Sequence, residues 1–164
     1  MKIETSDIYK ALRLLLEKNF NNIDVQIKDK KNPKPPCFYV QYVDNTNTQT
    51  AAEYTNDSYV FAIIYFSQKE TLQDLFFIEK NLKKILKNPL GIELIADDKT
   101  KKNQYQEIDS ISINLNEDDY ILNCTINISL DQLNTSDNLG ITDLENRYNE
   151  FENDDLLEEL EIEI

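Results

Sequence analysis

Histidine is missing from this 164-residue chain. The commonest general base and the commonest nitrogen ligand for a metal are thereby removed together. Cysteine occurs twice, as Cys37 and Cys124, too few for a zinc site and far apart in strand-like sequence. In a reducing compartment two such residues read as small core hydrophobes rather than as a disulfide. Neither of the two glycines, Gly91 and Gly140, sits in a phosphate-cradling pattern. No apolar run approaches a membrane span, and Met1-Lys-Ile-Glu-Thr-Ser-Asp has no stretch resembling a signal peptide, so the expectation is a protein that stays in the cytoplasm where it is made. The adjacent carboxylates Asp97-Asp98, Glu117-Asp118-Asp119 and Asp154-Asp155 belong to a set of 31 acidic residues and read as solvated turns. The spacing of a calcium loop is absent. No catalytic, cofactor-binding or metal-ligating residue is assigned, and a small enzyme is the least favoured class.

What is present is acid, and it is unevenly placed. From Met1 to Leu130 there are 19 acidic and 16 basic residues, whereas Asp131 to Ile164 holds 12 acidic residues against Arg147 alone. The organisation is therefore a near-neutral body, residues 1–130, and an acidic C-terminal extension, residues 131–164. A net charge of −14 opposes specific nucleic-acid binding, because phosphate contact needs a basic surface. An acidic inhibitor that mimics DNA is the alternative from a different class, although its charge should be spread over the body.

Hydrophobic periodicity places the elements. Thr5 or Ser6 caps a helix running to about Phe20, with Ile8, Leu12, Leu15 and Leu16 on one face. Ile23, Val25 and Ile27 alternate with polar residues as a short edge-like strand, and Pro33, Pro35 and Pro36 then hold the chain extended. Cys37 to Val43 and Tyr59 to Phe66 carry apolar residues on both faces, so each is expected to be covered on two sides, by one helix face per side or else by a second subunit. Between them, Asp44 to Ser58 is a long polar connection. Thr50 to Tyr54 can extend the strands into an arm, and at roughly 1 to 2 kcal/mol per ordered residue the stretch Asn45 to Asn56 is expected to become structured only in an assembly.

Thr71 caps a second helix whose stripe is Leu72, Leu75, Phe76, Leu82, Ile85 and Leu86, with Lys80, Lys84 and Lys87 on another face and Pro89 as its end. Leu90 to Ala96 is a short strand, Asp97 to Asn103 a basic-leaning loop, and Ile111 to Leu115 with Tyr120 to Leu130 a hairpin with one dry face. Strands in runs indicate an α+β fold: a mainly antiparallel sheet packed by two helices, followed by the acidic helical or extended arm.

With the elements placed, the chain resembles the tail terminator proteins of tailed bacteriophages, in particular the small family of phages and phage-tail-like particles from low-GC Gram-positive bacteria. The resemblance lies in Lys34-Pro-Pro-Cys-Phe-Tyr-Val-Gln, Tyr59-Val-Phe-Ala-Ile-Ile-Tyr-Phe, the helix Leu72 to Leu86 and the closing strand around Ile121 to Ser129, and covers about Ile8 to Leu130. It implies a virion structural protein that is not an enzyme. Such a protein forms a homo-oligomeric ring, usually of six copies, that caps the tube of a contractile or long flexible tail. The ring ends tube polymerisation and offers its other face to the head or neck. The implied partners are further copies of the chain, the tail tube protein and the sheath and neck or head-completion proteins, with no membrane and no cofactor. Assembly would take place in the host cytoplasm. A neck or head-completion ring protein is the nearest alternative.

Two sets of residues are singled out. Lys30, Lys31, Lys99, Lys101 and Lys102, with Asn45, Thr46, Asn47, Thr48 and Gln49 of the polar connection, are candidates for a subunit or tube interface. Leu144, Tyr148, Phe151, Leu156 and Leu160 are candidate anchors of the extension, expected to cross to an adjacent subunit or another tail component; Leu160-Glu-Ile-Glu-Ile is able to add a strand to an exposed edge.

Overall fold

The computed structural model of the chain describes residues 2–26, 32–51, 54–95 and 98–133. Seven strands and two helices follow in the order α1 (Thr5–Asn19), β1 (Asp24–Gln26), β2 (Cys37–Ala51), β3 (Tyr54–Phe66), α2 (Leu72–Leu86), β4 (Leu90–Ile95), β5 (Lys101–Gln106), β6 (Ser110–Asn116) and β7 (Ile121–Leu133). The main sheet has the order β1-β2-β3-β7-β6, and β4 and β5 form a separate antiparallel pair. Only β1 runs parallel to its neighbour, β2; the other pairings are antiparallel, as an α+β fold with strands in runs requires.

Both helices lie on one face of the main sheet. Alternation sends Phe38 and Val40 of β2, Phe61 and Ile63 of β3 and Cys124, Ile126 and Ile128 of β7 to that face, where they join Ile8, Leu12 and Leu16 of α1 and Leu75, Ile78 and Leu82 of α2 in one buried core. The helix α1 covers the β1 and β2 side and also meets β4, while α2 covers β6 and β7. This corrects the expected arrangement of one helix per face. Over the body of the sheet the first face is apolar on every strand, because β6 adds Ile111, Ile113 and Leu115; its buried polar residues, Thr55, Asp57 and Gln132, lie at the far end of β3 and β7. The second face is apolar only along β2 and β3, since β7 presents Asn123, Thr125 and Asn127 there and β6 presents Ser112 and Asn114. A helix stripe would find half of that surface polar.

The second face nevertheless holds a small cluster, Cys37, Tyr39, Ala62 and Ile64, with Phe66 and Ile121 packed against it. Tyr39, Ala62 and Ile64 are each at most 5% exposed within one chain, so this patch does not itself demand a second subunit.

Local corrections have local causes. Helix α1 starts one residue earlier than expected, because Glu4 and Asp7 form a reciprocal capping box and displace Thr5 and Ser6 from the cap. Thr71 does cap α2, its hydroxyl accepting from the Asp74 N–H at 3.3 Å. Phe76 leaves the expected stripe of α2 and Ile78 takes its place: Leu75, Ile78, Leu82 and Leu86 follow one inward line, and Phe76 is turned about 100° from Leu75. The basic loop expected over 97–103 is in part strand, since Lys101 and Lys102 pair with Ile95 and Leu94.

Candidate functional site

The polar connection between the apolar strands is a built arm. The β2–β3 ladder continues through it, from Asp44 opposite Val60 to Ala51 opposite Tyr54, with an irregularity at Val43 that re-aims the strand where its apolar run ends. The stretch Asp44 to Ala51 spans roughly 25 Å at the usual rise per residue. Strand β7 accompanies β3 to its start, where Leu133 faces Tyr54. A two-stranded ribbon is marginal in water, and the third strand is what makes this one stable in a single chain. The stretch expected to order in an assembly is paired strand along Asp44 to Ala51 in this structure.

Asn45, Thr46, Asn47, Thr48 and Gln49 lie on the far half of β2, opposite Tyr59, Ser58, Asp57, Asn56 and Thr55, and all five are exposed. They form a ladder of amides and hydroxyls suited to hydrogen-bonded recognition. Beside it, Tyr54 and Leu133 are paired across β3 and β7 and about half exposed, an apolar spot at the arm's end.

A clasp fixes the root of the arm. Asp57 points to the helix-bearing face and is 2% exposed. Its Oδ2 accepts from Gln132 Nε2 at 2.6 Å and has Lys2 Nζ at 3.8 Å, and its Oδ1 accepts from the Asn47 amide. A carboxylate this deeply buried is tolerated only when its oxygens are paired or hydrogen-bonded. Gln132 also holds the backbone of Ile3 by both its N–H and its carbonyl, and the Tyr59 hydroxyl donates to the same carbonyl at 3.2 Å. Burial, and then the nearby Asp57 charge, push the Tyr59 phenol up to about 12. The clasp was missed in the sequence. Its signal is there: Asp57 and Gln132 continue, at inward positions, the apolar series Tyr59, Phe61, Ile63 and Tyr65 of β3 and Leu122, Cys124, Ile126, Ile128 and Leu130 of β7. Thr55, the next inward residue, is buried with its hydroxyl unpartnered.

Of the candidate lysines, Lys99 stands in a turn with φ of 63°, Lys101 pairs with Glu93 at 3.1 Å and Lys102 is exposed on β5. Asp98 caps that turn, and the Thr100 hydroxyl and N–H hold its carboxyl below the usual range. Among the described residues no hydrogen bond or ion pair links these lysines to the arm, so the two halves of the expected interface are not joined. Lys30, Lys31, Leu144, Tyr148, Phe151, Leu156 and Leu160 lie outside the described residues.

A groove of about 700 Å³ runs between the end of α1, Pro36 and the first turns of α2. Its size suits a small ligand. Its lining is mostly amide and apolar, and its carboxylate, Asp74, is occupied, accepting from Tyr65 at 2.7 Å and Ser67 at 2.6 Å. Burial and that bond to Asp74 push the Tyr65 phenol up, so it is a donor and not a base. Among the described residues no three acidic, cysteine or histidine side chains converge on a metal position, and no helix is long and apolar enough to cross a membrane. Cys37 and Cys124 are free thiols on opposite faces of the sheet; burial pushes Cys124 up to about 12 and raises Cys37 as well.

The family model described as "Phage tail terminator protein" matches residues 7–138, which takes in the whole of the main sheet and all but the first two residues of α1. No curated protein matches the sequence. The chain belongs to the phage tail terminator family.

Proposed function

From this family membership we propose that the chain ends tail assembly by forming a ring, of six copies in the simplest arrangement, on the last ring of the tail tube. The family match is the observation that carries the reading. The arm supports it, being a stiff polar ladder with an apolar tip that one subunit can lay across a neighbour or the tube. The action is steric and interfacial: one face of the ring fits the open end of the tube, and the other refuses a further tube ring and receives neck or head-completion proteins. The sheath of a contractile tail is a further neighbour. No bond is made or broken in this account, and the protein is not an enzyme. Its place is the virion tail, joined after assembly in the host cytoplasm.

Light scattering on the full chain, alone and with tube protein, tests the reading. A species near six times 19.2 kDa, or a monomer that gathers into rings on tube ends, is the expected result. A stable monomer that ignores tubes and binds a DNA-processing enzyme overturns it in favour of the acidic mimic.

A further inference from the structure

The outward side of α2 combines two features that a solvated helix face does not need. Phe76 and Phe77 are 51% and 62% exposed. From Phe76 a shallow groove follows the helix over Glu79, Lys80, Lys83, Lys84 and Lys87. Lys83 is paired with Glu79 at 2.7 Å, while Lys80, Lys84 and Lys87 have no acidic partner among the described residues. Lysines near a helix C-terminus suit its dipole. Yet Lys80–Lys84, Lys83–Lys87 and Lys84–Lys87 are like charges at i,i+4 or i,i+3, a spacing that opposes the helix. Unneutralised cations beside exposed aromatic rings mark a surface for an acidic segment that also carries apolar side chains.

The chain contains such a segment. Residues 143–160 hold eight acidic residues against Arg147 alone, interleaved with Leu144, Tyr148, Phe151, Leu156, Leu157 and Leu160. We propose that the Phe76–Lys87 groove of α2 is the docking site of residues 143–160 of the same chain, with rings and leucines on Phe76 and carboxylates on Lys80, Lys84 and Lys87. The ten residues after Leu133 extend up to about 33 Å. Exposed ion pairs are weak individually. Such contacts hold a tethered segment, whose effective concentration is in the millimolar range, better than one from a separate molecule. Any acidic partner of α2 must then displace the extension, which makes it a competitor for that surface until assembly.

Hydrogen exchange on the full chain, read by mass spectrometry, is the test. Amides of 144–160 should exchange at least tenfold faster in the triple variant Lys80→Glu, Lys84→Glu, Lys87→Glu than in the parent, with β3 and β7 unchanged as the check on folding. Adding Glu150→Lys, Asp154→Lys and Glu158→Lys to that variant should restore the slow exchange. Carbodiimide cross-linking of a mixture of ¹⁴N and ¹⁵N protein should join these lysines to the extension within one isotope. Equal exchange in parent and variant, or cross-links only between isotopes, overturns the proposal.

Discussion

Gln132 grips Ile3 by both backbone groups: its side-chain oxygen accepts the Ile3 N–H at 2.7 Å and its amide donates to the Ile3 carbonyl at 3.2 Å. One side chain near the end of the last strand thus ties down the start of the chain, 129 residues away. Removing it leaves buried backbone groups and the Asp57 carboxylate short of partners. Gln132→Ala is expected to lower the free energy of unfolding by about 1 to 3 kcal/mol in a denaturant titration. Amides from Ile3 into the first turn of α1 should exchange faster.

Thr55 supplies the opposite case. Its hydroxyl is buried without a partner, so Thr55→Val removes a desolvated polar group at nearly constant volume. The same titration should show stability unchanged or raised by up to about 1 kcal/mol. A loss above that would mean that the hydroxyl is bonded.

Alkaline pH should weaken the fold through its buried phenols. The Tyr59 pKa rises from 10.0 to about 12 on folding, and Tyr65 is displaced in the same direction. A raised folded value means that the stability it carries is complete below pH 10 and is lost as pH climbs through about 12. The free energy of unfolding should therefore fall over that window. Tyr59→Phe should flatten the fall while costing about 0.5 to 1.5 kcal/mol at neutral pH for the lost hydrogen bond to Ile3.

Both thiols should be silent in the folded protein. Cys37 and Cys124 are fully buried on opposite sides of the sheet, and burial disfavours both thiolates. A thiol reagent at pH 8 should label neither within minutes, and should label both in denaturant without prior reduction.

The arm tip separates function from stability. Tyr54 and Leu133 are half exposed, so Tyr54→Ser with Leu133→Ser should move stability by no more than about 0.5 kcal/mol per site. If the tip meets a neighbour or the tube, the same pair should weaken oligomer formation or tube-end binding at least tenfold by sedimentation.

What was legible in the sequence were the elements that bury a periodic face. Both helices, the doubly apolar strands and the β6–β7 hairpin show their spacing directly, because a core selects residues by phase. What was hidden is held by backbone pairing or by polar side chains. Strand β5, Lys-Lys-Asn-Gln-Tyr-Gln, has no dry face; it is a strand because β4 pairs with it, with the Tyr105 ring lying over Gly91, where an added Cβ would sit 3.3 Å from it. The far half of β2 reads as a loop for the same reason, since nothing in Asn-Thr-Asn-Thr-Gln reveals the ladder beside it. The placement of both helices on one face depended on comparing β6 and β7 with β2 and β3, a property of the assembled sheet and not of any one strand. Composition marks Asn45 to Gln49 as a polar stretch and charge marks Lys101 and Lys102, while the clasp beneath the arm shows only once β3 and β7 are paired.

The most direct test of the account is tube growth. Tail tube protein polymerising from a baseplate or a preformed seed would be followed by electron microscopy as the protein is added in increasing ratio. The account predicts tubes that stop, each with one ring-shaped cap at its growing end, and a length distribution that shortens with the ratio. Tubes that lengthen at the same rate with bare ends, at any ratio, would contradict it.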